Sequence, residues 1–226
     1  MATPLLLVVH GRTGGVIPEV YRQLARELEQ RRQAPVALQA LTAPLPAPGS
    51  DPALSDPRLT LVPLLLLPGN HARVDVPALA RQLGLTPAVA RAGAGVRRLP
   101  FLGAWPAWQS ALATELAALR DPLTSGEGSP SRPPLLLHHP LEGRLAPRYL
   151  EHLQRCLGCR CLAAPYSSQH SEALALAIDG PVLPLALAAN RLTERLEPQL
   201  GRLQAAPLLE RPRLRQLLVD QLAALP

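Results

Sequence analysis

Four short, unbroken apolar runs set what this chain can fold into. They are LLLVV at 5–9, LVPLLLL at 61–67, LLL at 135–137 and VLPLAL at 182–187, each flanked on one side by proline. A strand with one wet face would alternate, whereas a continuous run fits a parallel strand covered on both faces. Weaker strand signals lie at 36–41, 96–99 and 161–165. Between the runs, apolar residues recur three and four apart. Pro18 opens one such pattern, with Ile17, Tyr21, Leu24 and Leu28 on one face. Val76, Leu79, Ala80 and Leu83 make another, which Gly84 stops. Further stripes start at Trp108, Leu150, Leu174, Leu192 and Leu214. Strands alternating with helices spell an α/β fold with a mostly parallel sheet.

Residues 121–134 (DPLTSGEGSPSRPP) have no apolar period and read as a linker between 1–120 and 135–226. The flanking segments are alike: LLVVH at 6–10 lines up with LLLHH at 135–139, and VPLLLLPGN at 62–70 with LPLALAAN at 183–190 if one residue is skipped. This is the pattern of a decayed internal repeat, although two leucine-rich strands can also resemble each other by chance. The proline-rich stretch 43–58 reads as a long surface loop or lid.

Charge narrows the partners. The chain has 23 basic residues, all arginine, against 17 acids, for a net charge of +6. The absence of lysine excludes Schiff-base and Walker-A chemistry. The excess favours an anionic partner. Nucleic acid is disfavoured, because aromatics are only 3% and no basic cluster interleaves with them. No run approaches the roughly 20 apolar residues of a membrane span, and no signal peptide is evident at the N-terminus. The expectation is a cytoplasmic protein with no membrane partner. Three cysteines within six residues (Cys156, Cys159, Cys161) are not a secreted disulfide framework. With His152 or His170 they offer ligands for zinc or an iron–sulfur cluster; the alternative is free thiols beside a strand start.

His10 ends the first strong run, and His71 follows the second through Pro68-Gly69-Asn70. Both therefore fall at carboxyl ends of predicted parallel strands, the edge where open α/β sheets bind ligands. Neutral imidazole ligates divalent Fe, Co, Ni and Zn, and two imidazoles leave most coordination positions open. Such a site suits a cation that is handed on. The plain alternative is two polar loop residues with no spatial relation.

LLLVVHGR at 5–12, PLLLLPGNHARVDVP at 63–77 and LPFLGAWPAW at 99–108 together resemble the class II chelatases of the CbiX/SirB type, in order over roughly residues 4–120. The resemblance implies two similar three-layer α/β/α halves with a cleft between them, the second half degenerate. It implies a lyase-type sirohydrochlorin chelatase of siroheme or cobalamin (porphyrin-type) biosynthesis. Such an enzyme inserts Fe²⁺ or Co²⁺, or Ni²⁺, into a polycarboxylate tetrapyrrole, working as a monomer or homodimer. His10 and His71 would be metal ligands and proton acceptors. Arg12, Arg73, Arg97 and Arg98 would meet the carboxylates of the macrocycle. Two departures stand out. Arg12 replaces the serine usual after His-Gly, and Thr42 stands where a glutamate often ends the second strand. Water, Asp75 or a residue of the 43–58 loop would take the place of that carboxylate, although Asp75, standing before Val-Pro, also reads as a helix N-cap. His139 matches His10 in the repeat, as cleft lining or as a remnant. The second functional reading is a non-catalytic tetrapyrrole or metal carrier.

Overall fold

The structure, a computed structural model, describes residues 2–45, 51–84, 96–119, 133–164, 178, 180–194, 196, 198 and 206–226. Most of the 121–134 linker, the centre of the 43–58 loop, His170, Leu174, Leu200 and Leu203 lie outside the described residues.

The apolar runs form the central strands. Strands β1 (Leu5–Val9), β2 (Val36–Ala40), β3 (Thr60–Pro63) and β4 (Arg97–Arg98) make a parallel sheet in the order β2-β1-β3-β4. Every residue of β1 is buried, which explains why its sequence does not alternate. Leu6 and Val8 pack with Leu61 and with Val76, Leu79 and Leu83 of helix α2 (Val76–Gly84). Helix α1 (Glu19–Arg32) buries Tyr21, Leu24 and Leu28. The 61–67 run is strand only as far as Pro63, after which Leu64 N–H still donates to Val8 O (2.8 Å) before the chain leaves the sheet.

The second sheet contains β5 (Leu135–His138), β6 (Arg160–Ala163) and β7 (Val182–Pro184), parallel and in the order β6-β5-β7. Its core gathers Leu135, Leu137, Ala164, Val182, Leu192 and Leu196. Helix α3 (Pro106–Ala118) buries Trp108, Leu112 and Leu116, and helix α4 (Ala146–Leu157) buries Leu153 and Leu157.

The chain forms two compact units. One is Met1–Trp105 with Gln216–Pro226, and the other is Pro106–Arg215. This grouping differs from the 1–120 and 135–226 division, because the helix after each sheet joins the opposite unit. Helix α3 packs with α4. The last turns of helix α5 (Pro212–Ala223) are tied to the first unit by Arg32, which is buried. Its guanidinium donates to the carbonyls of Leu222 (2.7 Å), Leu225 (2.8 Å) and Thr3 (2.6 Å). Among the described residues, no helix is long and apolar enough to cross a membrane.

Candidate metal centre

Strand β1 delivers His10 to the carboxyl edge of the first sheet, where the chain leaves the ladder and the ring becomes exposed. The next residue, Gly11, has φ +78°. That is a left-handed conformation, costly for any residue with a Cβ. Space demands glycine as well: a Cβ here would lie 2.6 Å from Thr42 Oγ1 and 2.7 Å from Ala40 Cβ. The turn places the Gly11 carbonyl 2.7 Å from His10 Nδ1. A carbonyl only accepts, so Nδ1 carries the proton and, in the neutral ring, Nε2 keeps its lone pair.

His71 comes from the other side of the same edge. After β3 the chain enters a π-helical turn, His71–Asp75, that runs directly into α2. Its wide ring closes with the Val76 N–H donating to the His71 carbonyl, five residues back. The turn brings His71 Nδ1 to 2.6 Å from Asp75 Oδ2. Asp75 is therefore not a helix cap. The helix has already begun at His71, and the carboxylate accepts from an imidazole. Aspartate before Val-Pro is a common helix start, but sequence periodicity gives no sign of a π turn ahead of it.

The two imidazoles meet edge to face, with ring centroids 4.6 Å apart and planes at 80°. They are 61 positions apart in the sequence. Each commits Nδ1 to a protein acceptor, so each has Nε2 for a cation. Among the described residues, no group of three or more His, Cys, Asp or Glu side chains gathers around a common point. The centre therefore rests on a pair of imidazoles.

Thr42 is at this edge, but its hydroxyl donates to the Arg12 carbonyl (2.9 Å), clamping the turn after His10 to the end of β2. Gln39 shapes that end. Its buried amide donates to the carbonyls of Ala40 (2.7 Å) and Ala43 (3.2 Å). Sequence reasoning passed over Gln39; the available signal was a lone amide inside an otherwise apolar strand.

The arginines divide. Arg12 and Arg73 are exposed and lie on the two histidine-bearing turns. Arg97 and Arg98 form β4, in register with Thr60 and Leu61 and, through them, with Leu5 and Leu6. That is the amino-terminal end of the sheet. Four residues of strand, about 13 Å, separate the Leu6 row from His10. The expectation that this doublet joins the histidine edge is corrected, because parallel register starts β4 level with the start of β1.

In the second unit His138 ends β5 and is buried, and its Nδ1 donates to the His139 carbonyl (2.7 Å). Burial pulls the His138 imidazole below its ordinary range, with the His139 hydrogen bond opposing. His139 Nε2 lies 3.4 Å from Asn190 Nδ2. The three thiols are separated in role. Cys156 is exposed on α4, 3.5 Å from His152 Nδ1, and Cys159 is buried. Cys161 is on β6, where a hydrogen bond with Cys159 and burial push its thiol up. The chain reverses at Gly158 between helix and strand, and among the described residues these thiols are not part of any group of three or more His, Cys, Asp or Glu side chains that could hold zinc or an iron–sulfur cluster.

No family model matches the chain, and no curated protein matches it. Solved structures do. A SirB from Bacillus subtilis with Fe³⁺ superposes at a TM-score of 0.60 with 15% identity, over 99% of this chain and 96% of that one. The sirohydrochlorin chelatase SirB from Bacillus subtilis subspecies spizizenii, in complex with cobalt, gives 0.58 with 16% identity, over 98% and 94%. CbiX, described as the terminal enzyme for biosynthesis of siroheme in denitrifying bacteria, gives 0.62 with 20% identity, over 99% and 100%. The chain has the fold of these proteins from end to end.

Proposed function

From that shared fold and its histidine edge, we propose that this chain is a sirohydrochlorin chelatase, a lyase-type enzyme that inserts a divalent metal into a polycarboxylate tetrapyrrole. The single observation that carries the reading is the meeting of His10 and His71 at 4.6 Å, each with Nδ1 committed to a protein acceptor. Fe²⁺ or Co²⁺, the substrate ion, is held by the two Nε2 atoms. Most of its coordination sphere stays open, so the macrocycle nitrogens can replace the imidazoles one at a time. Two pyrrole protons leave as two metal–nitrogen bonds form, and a histidine released from the metal is a suitable acceptor at neutral pH. Arg12 and Arg73, on the two turns, answer the carboxylates of the macrocycle with planar paired donors.

On this reading the chain works in the cytoplasm, as a monomer or homodimer, in siroheme or cobalamin biosynthesis. Residues 1–120 and 135–226 are related halves, a view supported by the shared order of their three central strands. Affinity alone does not choose iron over cobalt at nitrogen ligands, so the metal is a matter of supply.

One observation favours the second reading, a carrier without turnover. Thr42 holds the position of a carboxylate, and its hydroxyl is engaged with the Arg12 carbonyl. An anaerobic assay with sirohydrochlorin and Fe²⁺, Co²⁺ and Ni²⁺ in parallel separates the two. Metal-dependent change of the tetrapyrrole spectrum above the protein-free rate is the expected result. Tetrapyrrole binding with no acceleration by any of the three metals would establish the carrier.

A further inference from the structure

We propose that Asp75 is a positioning residue that acts on the substrate metal through His71. It holds the His71 ring in the Nδ1–H form, with Nε2 as its coordinating nitrogen. The inference rests on the reading of His71 as a metal ligand, and it gives the carboxylate that touches His71 a role other than direct ligation.

Three observations converge on it. The Asp75 Oδ2–His71 Nδ1 distance is 2.6 Å, the short range of a charge-assisted hydrogen bond. A carboxylate oxygen that accepts this proton already has a partner, and coordinating a metal directly would require it to give that partner up. Next, the contact is built by backbone and not by chance rotamers. His71 and Asp75 are the first and last residues of the π-helical turn, so a local widening of the helix sets their relation. Finally, no acid stands at the end of β2. Thr42 is there, donating its hydroxyl to the Arg12 carbonyl. Negative charge therefore reaches a bound cation from Asp75 through the ring, which raises the basicity of Nε2.

His10 supplies the internal contrast. Its Nδ1 is met by the Gly11 carbonyl at 2.7 Å, an acceptor fixed by the backbone and without net charge. The two rings thus present the same nitrogen, but one is backed by a neutral dipole and the other by a carboxylate. Only the second arrangement can be dismantled by changing a side chain.

The test uses the full chain without tetrapyrrole. Co²⁺ is titrated and followed by its visible ligand-field absorption, for wild type, Asp75→Asn, Asp75→Ala and His71→Ala. In parallel, long-range ¹H–¹⁵N NMR on histidine-labelled, metal-free protein reads which nitrogen of His71 carries the proton. The expected result is Nδ1–H in wild type and in Asp75→Asn, whose amide oxygen still accepts, and loss of that preference in Asp75→Ala. Co²⁺ affinity should fall about 10- to 100-fold in Asp75→Ala, with Asp75→Asn between it and wild type. Unchanged affinity in Asp75→Ala, or a His71 tautomer indifferent to the substitution, overturns the role of Asp75 alone. Equal weakening in Asn and Ala variants, with the tautomer preserved in the former, overturns it in favour of direct ligation. Co²⁺ binding that is absent in wild type, or that survives His71→Ala, sinks the metal reading of His71 and this inference with it. If Asp75→Ala does not fold, Asp75→Leu, which also removes the acceptor, takes its place in the same comparison with the same outcomes.

Discussion

The carboxyl edges of β1 and β5 share a scaffold and differ in what their polar groups face. The ladders match bond for bond. Leu41 N–H donates to Val9 O and Leu64 N–H to Val8 O, just as Ala164 N–H donates to His138 O and Leu185 N–H to Leu137 O. His139 therefore occupies the place of His10. Past that point the edges diverge. In the first unit, Gly11 turns the chain and Thr42 clamps it, and His71 brings a second ring to the first. In the second, Asn190 Oδ1 accepts from the backbone N–H groups of Leu192 (3.0 Å) and Thr193 (3.2 Å), and the Asn190 N–H donates in turn to Thr193 Oγ1 (2.9 Å). That is a reciprocal helix cap. The residues that correspond to His71 are Arg191 or Leu192, and Leu192 is core. One edge ties up half of each ring and leaves the other half for a ligand. The other satisfies its polar groups internally. A parallel sheet sets where such an edge lies, and its loops decide whether it binds or stabilises.

The comparison breaks most sharply on the histidines. His10→Ala or His71→Ala should lower metal insertion more than about 100-fold, beyond what loss of a partner behind a ligand costs, while thermal melting stays near wild type. His139→Ala should lower insertion less than about threefold by the same assay, and a larger loss would give the second edge a part in the reaction. Gly11→Ala comes next. Positive φ and the clash with Thr42 and Ala40 together should cost about 3 kcal/mol, read by urea unfolding. Asn190→Ala should cost about 1 kcal/mol through loss of its cap. Asn70→Ala should cost far less, because Asn70 makes no side-chain cap at its own helix start. The smallest effect is the pH response of His138. Its folded imidazole sits below the ordinary value of about 6.5, so below that pH the unfolded chain binds the extra proton. The stability it contributes is present above pH ~6.5 and drains away as pH falls through the lowered folded value. Melting temperature should drop less between neutral and mildly acid pH in His138→Phe than in wild type.

Much of this architecture was legible in the residues. Continuous runs such as LLLVV announced parallel strands because burial on both faces erases alternation, and β1 is buried along its whole length. His10 and His71 were legible for the same reason, since each follows such a run. What escaped depended on register and on helix type. Nothing in the Arg97-Arg98 doublet says that its strand starts level with Leu5. Asp75 looked like a cap because sequence periodicity cannot distinguish a helix beginning from a π turn leading into one. The grouping of α3 with α4 escaped because Trp108, Leu112 and Leu116 mark a buried face without naming what covers it. The cysteine spacing offers a ligand set, but spacing alone does not tell whether the thiols converge with a fourth ligand, and among the described residues they do not form such a group.

The π turn at His71–Asp75 carries one residue more than an α-helical path would need. Deleting a single residue there would let the segment relax into regular helix and swing everything before it by about 100°. The pairing of His71 with His10 is thus more sensitive to chain length than to most substitutions in this segment. A relative one residue shorter here would keep both the histidine and the aspartate and still turn its imidazole away.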